Sequence, residues 1–375
     1  MTQRGSVLRY YAPRVLAALA SILFTFALLE LAARFRVGAV GSREHLVLAA
    51  RKSWTKLEFN QHHSRLGWMP RPGVQAKGRD LRWRTKEGPV VPGTNEDADV
   101  NILDYGIRSN GQPVPSARHP RVLAVGDSFT FGDQVSDHQT WPAQLEVSLG
   151  VRVLNGGVYA YGIDQAVLRA ELLAPIHRPQ LVVLSFIPGD ILRATVSVRN
   201  NAAKPYFEIE RGRLILRNDP VPAPAQGLDP FRRIFGYSYL VDGIMNRVRP
   251  DYWQAGPRTR AHDRGAEVAC LLMERLAKLG REQDLQVLVV AQQPRVNQFD
   301  SAMSDRLLGC ARSAGLATLS LYPALQALAD RLPERYAGFY FGHMTEAGNR
   351  FVAQKIAKRI RRRRLLAPAP GEPAP

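Results

Sequence analysis

The chain has 375 residues, 45% of them apolar and 22% charged, a balance that buries a real core and excludes disorder over most of its length. Two cysteines, Cys270 and Cys310, are too few for a disulfide scaffold and lack zinc-type pairing; they read as core residues, with one bridge as the alternative if the domain is exported. The net charge of +18 is partly concentrated at Lys358, Arg359 and Arg361 to Arg364, with no nucleic-acid reader motif beside it, so the run reads as a solvated tail that also favours anionic lipid headgroups, and no nucleic-acid partner is expected.

Val15 to Leu29 (VLAALASILFTFALL) carries no charge, and apolar character resumes after Glu30 through Leu31-Ala32-Ala33. That approaches the roughly 20 residues needed to cross a bilayer as a helix. Arg4, Arg9 and Arg14 precede it as in an export signal, but Glu30 and Arg34 stand where a small-x-small cleavage site would follow. Residues 1–36 therefore read as an uncleaved anchor. Arg34, Arg36 and Arg43 nearly balance the upstream charges, so the positive-inside rule gives little orientation. An export-type signal ahead of a long folded domain puts that domain outside the cytoplasm.

Residues 37–119 are turn-rich, punctuated by Pro70-Arg71-Pro72-Gly73, Gly88-Pro89 and Pro92-Gly93, with short strand candidates at Leu81 to Arg84 and Asn101 to Ile107. They read as a small β-rich module packed on the main domain. From residue 120 strands alternate with helices. Strands are expected at Arg121 to Val125, Val151 to Leu154, Leu181 to Ile187, Gln286 to Ala291 and Ala317 to Leu321. Helices are expected from Thr140, a capping residue followed by Pro142, and at Asp164 to Leu173, Glu267 to Leu279, Ser304 to Ala314 and Glu346 to Ile360. Such alternation predicts an α/β fold with a parallel sheet covered on both faces, over residues 120–362, ahead of a disordered basic and Pro/Ala-rich tail at 363–375. Residues 192–260, rich in proline and aromatics, interrupt the pattern at the sheet's carboxyl edge and read as a lid or substrate-recognition insert, or else as a packing loop.

Ser128, in Gly126-Asp127-Ser128-Phe129-Thr130, follows an apolar strand and a glycine that permits a tight turn, so its hydroxyl is expected at the strand's carboxyl end. A serine hydroxyl is a weak nucleophile until a base takes its proton. Of the eight histidines, His343 lies in a comparable loop-to-helix setting, Gly342-His343-Met344-Thr345. Asp127 reads as structural in that turn, and Trp141, Tyr159 and Tyr161 as core before they read as an acyl or sugar site. No glycine-rich phosphate loop of the required spacing follows any strand, which disfavours a kinase or oxidoreductase, and His62-His63 and His119 lack metal-ligand spacing.

GDSFTFG after the first strand, NGGVYAYG (Asn155 to Gly162) after the second and GHMTEAGN (Gly342 to Asn349) before the last helix resemble the SGNH, or GDSL-type, hydrolases over roughly residues 120–360. The anchor, the stretch His63 to Gly73 and NILDYGIR (Asn101 to Arg108) resemble bacterial envelope members of that family, which implies a single-pass inner-membrane protein. The resemblance implies a flavodoxin-like, doubly wound parallel sheet of five main strands and acyl-ester chemistry without a cofactor or metal, with Ser128 as nucleophile and His343 as base. It also implies an oxyanion hole from the N–H of Ser128 and of Ala160, which stands where the family has glycine. Two positions depart from the family: Gly189 in Pro188-Gly189-Asp190 stands where an oxyanion asparagine is usual, and Tyr340 and Phe341 stand where an aspartate precedes the histidine. Asp190 is the first candidate to orient His343 instead, followed by Asp330, Glu334 or a backbone carbonyl. The expected function is an envelope esterase or O-acyltransferase acting on an acylated glycan or lipid. The alternative is a catalytically degenerate fold that binds an envelope polysaccharide or a partner protein.

Overall fold

The computed structural model describes residues 3–36, 59–77, 98–111, 122–199, 202–223, 230–249, 253, 264–292 and 301–367. The strand candidate at Leu81 to Arg84 and the end of the expected tail lie outside them. The chain divides into two units, residues 53–224 with 258–375, and residues 1–52 with 225–257.

The larger unit is built on a five-stranded sheet of β1 (Val122–Val125), β2 (Val153–Asn155), β3 (Leu181–Phe186), β4 (Gln286–Ala291) and β5 (Ala317–Ser320), in the order β2-β1-β3-β4-β5. Every neighbouring pair is parallel, which is the flavodoxin-type order. These strands carry nearly unbroken apolar runs because both faces are covered. Successive side chains alternate between two cores. Leu123, Val125, Val182, Leu184 and Val289 pack against α2 (Ile163–His177), α3 (Gly265–Glu282) and α4 (Ala302–Ser313). Val122, Ala124, Leu181, Val183 and Val290 pack against α1 (Trp141–Leu149), α5 (Tyr322–Arg331) and α6 (Glu346–Arg363). Thr140 caps α1 by accepting the Ala143 N–H at 3.3 Å, with Pro142 in the first turn as its missing N–H allows. Cys270 on α3 and Cys310 on α4 are joined in a disulfide across 40 residues.

Before the sheet, two antiparallel ladders pair Asn60–His63 with Gly67–Pro70 and Gln75–Lys77 with Asp99–Asn101. The expected strand at Asn101 to Ile107 stops early, because a tight turn at Asp104–Gly106 interrupts it. Trp68 is fully buried against the α2 face of the sheet. Trp141, Tyr159 and Tyr161 are also buried, and the Tyr161 hydroxyl donates to the Trp68 carbonyl at 2.6 Å.

The first part of the insertion packs as core rather than standing as a lid. Hairpin Tyr206–Glu210 with Arg213–Arg217 sends Phe207 into the α2/α3 core, and the buried Lys204 ammonium pairs with Asp164. The rest of the insertion falls in the smaller unit with the amino-terminal helix Gln3–Arg36. Tyr11–Arg36 of that helix is long and apolar enough to cross a membrane. At the far end α6 stays helical through Arg363, so most of the basic run is its last turns and not a tail.

Candidate active site

Ser128 opens a one-turn helix, Ser128–Phe131, directly after β1. Asp127 caps that turn, its carboxylate accepting the Phe129 N–H at 3.0 Å. Gly126 is required by close approach: a Cβ there would collide with Thr130 Oγ1 and the Ser185 carbonyl of β3. The turn ends at Gly132 in the left-handed conformation, which sends the next residues back past Ser128.

His343 reaches the same point from a two-residue bridge, Tyr340–Phe341 against His343–Met344, closed by Gly342 at φ +78°. Ser128 Oγ and His343 Nε2 are 2.8 Å apart. Three contacts fix the histidine's approach. Its backbone N–H donates to Gln134 Oε1 at 3.0 Å, its ring stacks on Phe129 with centroids 4.9 Å apart, and Thr345 caps α6 immediately behind it. Asn349 then ties α6 to α1 by accepting the Trp141 N–H at 2.9 Å.

Of the two expected oxyanion donors and the position that lacks the usual asparagine, Ser128 follows β1, Ala160 follows β2 and Gly189 follows β3, so all three stand at the carboxyl edge flanking the switch between β1 and β3. Among the described residues none of their N–H groups donates to another protein atom. Ala160 holds φ +61°, a left-handed conformation that alanine rarely takes. At Gly189 a Cβ would meet nothing closer than Arg193 Nη2 at 3.6 Å.

The expectation that Asp190 orients His343 is not met. Asp190 accepts from Arg193 Nη1 at 2.6 Å and from the Ile187 N–H at 3.0 Å, and no bond joins it to the imidazole among the described residues. It lies in the first turn of the short helix after β3, where its carboxylate folds back onto that helix's own start. Asp330 and Glu334 do not bond His343 either among the described residues; Asp330 accepts from Gln326.

The carboxyl that does approach is Asp133, its Oδ2 3.7 Å from His343 Nε2 and its Oδ1 buried without a hydrogen bond. Burial, and then the charge of Asp127, push the Asp133 carboxyl up to about 8, against the pull of Arg108. Burial, and then the charge of Arg193, push the His343 imidazole down to about 4, although about a third of its side chain (32%) reaches solvent. At neutral pH both groups are uncharged. The Asp133 loop is held by the buried Arg108 guanidinium, which donates to Asp137 Oδ1 at 2.9 Å, the Phe131 carbonyl at 2.8 Å and the carbonyls of Gly132 and Val135. Arg193 holds the other side: besides Asp190, its Nη1 donates to the Tyr161 carbonyl at 3.0 Å and lies 3.7 Å from Asp127 Oδ2. Burial raises both Asp127 and Asp190, and Arg193 opposes the rise in each.

Asp133 and Arg193 are absent from the sequence reading. A carboxylate one residue past the motif glycine was a usable signal for Asp133, since a one-turn helix closed by a left-handed glycine brings that position back to the nucleophile. Arg193 follows Asp190 by one helical turn, the spacing of an ion pair.

No family model matches the chain, and no curated protein does. Solved structures do. A lipase/acylhydrolase from Enterococcus faecalis is 14% identical over 67% of this chain and 100% of its own, with a TM-score of 0.38. A catalytic mutant of an acetylxylan esterase from Geobacillus stearothermophilus is 14% identical over 64% of this chain and 94% of its own, with a TM-score of 0.37. An enzyme from the metagenome of Lake Arreo, Spain, described as an alpha/beta hydrolase, is 12% identical over 66% and 97%, with a TM-score of 0.39. Likenesses this remote leave the activity to be argued from the site itself.

Proposed function

We propose that the chain is an SGNH-type serine esterase or O-acyltransferase, anchored in a membrane by its amino-terminal helix and acting on an acylated envelope glycan or lipid. The observation that carries the reading is the 2.8 Å contact between Ser128 Oγ and His343 Nε2 at the carboxyl edge of a parallel sheet. Ser128 attacks the ester carbonyl while His343 Nε2 takes the hydroxyl proton. The oxyanion that forms is met by the N–H groups of Ser128, Ala160 and Gly189. His343 returns the proton to the departing alcohol, leaving an acyl group on Ser128. Water or a sugar hydroxyl then attacks the acyl-enzyme, with His343 again the base, and regenerates Ser128. Hydrolysis and transfer differ only in that acceptor.

Asp133 is the acid closest to the base. Neutral at pH 7, it keeps a second charge out of a small buried space; once ionised it faces the imidazolium formed during attack. Arg193 borders the place vacated by the usual asparagine and spends its charge on Asp190 and Asp127. The helix with no charge from Val15 to Leu29 and the Cys270–Cys310 bridge both support a domain outside the cytoplasm.

A fluorophosphonate probe tests the reading. The wild-type chain is expected to label, and Ser128→Ala and His343→Ala to lose the label. An unlabelled wild type would point to the degenerate, ligand-binding alternative. With labelling in hand, short and long p-nitrophenyl esters, with and without glycan acceptors, separate hydrolysis from transfer.

A further inference from the structure

The smaller unit joins the apolar amino-terminal helix to a distant part of the chain through one acidic residue. Glu30 lies in the last two turns of Gln3–Arg36. Its carboxylate accepts from Ser238 Oγ at 2.7 Å and from the Tyr239 and Leu240 N–H groups at 3.0 Å each. These are the free donors at the start of helix Tyr239–Val248, which Ser238 also caps from its own side by accepting the Val241 N–H. Arg34 closes the cluster, 2.7 Å from Glu30 Oε1 and stacked over the Tyr239 ring at 5.1 Å. An acid directly after the uncharged run of the helix is thus accounted for: it fastens residues 238–248 to that end.

The position of Glu30 fixes a depth. The span long and apolar enough to cross a membrane runs Tyr11–Arg36, and its uncharged stretch, Val15 to Leu29, is about 15 residues, or roughly 22 Å of helix, against the roughly 30 Å of bilayer hydrocarbon. Glu30 is the first charge after that stretch and lies within the last two turns of the helix, so a charged carboxylate there favours the boundary region over the bilayer centre, and helix Tyr239–Val248 starts beside it. One side of this helix is satisfied. Tyr239, Val241 and Met245 pack with Phe235 on the buried Trp253, whose indole N–H donates to Asp242 at 2.7 Å. The other side is apolar and open, with Ile244 and Val248 one turn apart and Val248 71% exposed. The preceding helix, Pro230–Phe235, stacks Phe231 on Phe235 and Trp253 and adds Ile234, 68% exposed, to the open side, and Tyr237 follows it. Arg247 and Arg249 border the open stripe with exposed side chains. An apolar stripe flanked by arginines and carrying aromatics is the composition of helices that lie in the interface plane.

We propose that residues 230–249 form an interfacial foot, seated at the headgroup–acyl boundary beside the end of the membrane-crossing helix and locked to it by Glu30. The proposal rests on the anchor reading above. Its partner is a lipid surface, and anionic headgroups suit the arginines. The foot sets how the chain leaves the membrane, since residues 238–240 are bonded to Glu30 near the end of the helix.

Single cysteines carrying an environment-sensitive dye at Ile244, Val248 and, as a control, Leu23 test this in the full-length chain in phosphatidylglycerol-containing vesicles. Both native cysteines are bridged, so the introduced thiol is the one that labels. The expected result is blue-shifted emission at Ile244 and Val248, quenched by nitroxides near the headgroups more than by nitroxides deep in the acyl chains, with the reverse order at Leu23. Emission at Ile244 and Val248 matching the free dye in buffer, with Leu23 still embedded, overturns the foot and leaves the anchor standing. A solvent-exposed Leu23 overturns the anchor and the foot with it. Glu30→Gln, in the same assay, is expected to lose the headgroup quenching at Ile244 while Leu23 is unchanged; unaltered quenching at Ile244 would overturn the lock.

Discussion

Ser128, His343 and Asp133 occupy one small space, and the third of them makes a measurable statement about stability. An aspartate in the unfolded chain ionises near 3.8, whereas folded Asp133 holds its proton to about 8. Between those values the unfolded chain has released a proton that the folded chain keeps, so stability falls as pH rises, by up to about 6 kcal/mol over the whole interval. Asp133→Asn removes that slope. Melting temperatures of variant and wild type are expected to agree near pH 3.5, with the variant the more stable at pH 8.5; equal melting temperatures at both would show an Asp133 that ionises normally. Gly189 leads to a second expectation. A side chain fits there, with Arg193 Nη2 at 3.6 Å as nearest neighbour, and a missing oxyanion donor typically costs 10²–10³ in rate. Gly189→Asn is expected to raise the turnover of p-nitrophenyl esters by about tenfold or more, short of the full 10² because the loop was not built around the amide. A fall in turnover would mean that Arg193 needs the open space.

Strands and helices were more legible than the site. β3 and β4 read directly from their runs, since strands buried on both faces need apolar residues at every position. Thr140 with Pro142 marked the start of α1 for the same local reason. Failures came where the deciding contact lies far away in sequence. The end of the Asn101 strand depends on a turn, Tyr206–Glu210 became core because Phe207 fills a hole between α2 and α3, and the basic run extends α6 because Ile356 and Ile360 anchor it. Within the site, Ser128 and His343 were readable from motif and strand context. Asp190 was misassigned because Arg193, a turn later, claims its carboxylate. Cys270 and Cys310 illustrate the same limit, since only the pairing of α3 with α4 puts their Cα atoms 5.2 Å apart. A crosslink spanning 40 residues is worth about 4 kcal/mol through the unfolded chain. Cys270→Ser with Cys310→Ser is expected to lose about 2–4 kcal/mol in urea unfolding while keeping the fluorophosphonate label, because neither helix contributes a group that touches Ser128 or His343. Loss of the label in a folded variant would show that α3 and α4 position the site.

At the scale of the molecule, the two units differ in what holds them together. The two cores that sandwich the sheet draw on residues 66 to 216 and 266 to 366, with no member from residues 1–52 or 225–257 among the described residues. The smaller unit instead gathers its apolar contacts around Trp253 and its polar ones around Glu30. Fold and site therefore belong to one unit, and the apolar amino-terminal helix belongs to the other. A chain beginning at Ser53 tests the division. It keeps both cores, the Arg108 clamp on the Asp133 loop and the Ser128–His343 contact, so it is expected to unfold in one cooperative transition and to take the fluorophosphonate at the wild-type rate. It loses Glu30, the acceptor for three donors at the start of helix Tyr239–Val248, so limited proteolysis is expected to cut within residues 225–257 at protease levels that spare the full chain. Slow labelling by the shortened chain, with cooperative unfolding intact, would mean that the amino-terminal helix shapes the site. Cleavage spread evenly over both units would mean that the cores do not stand without it.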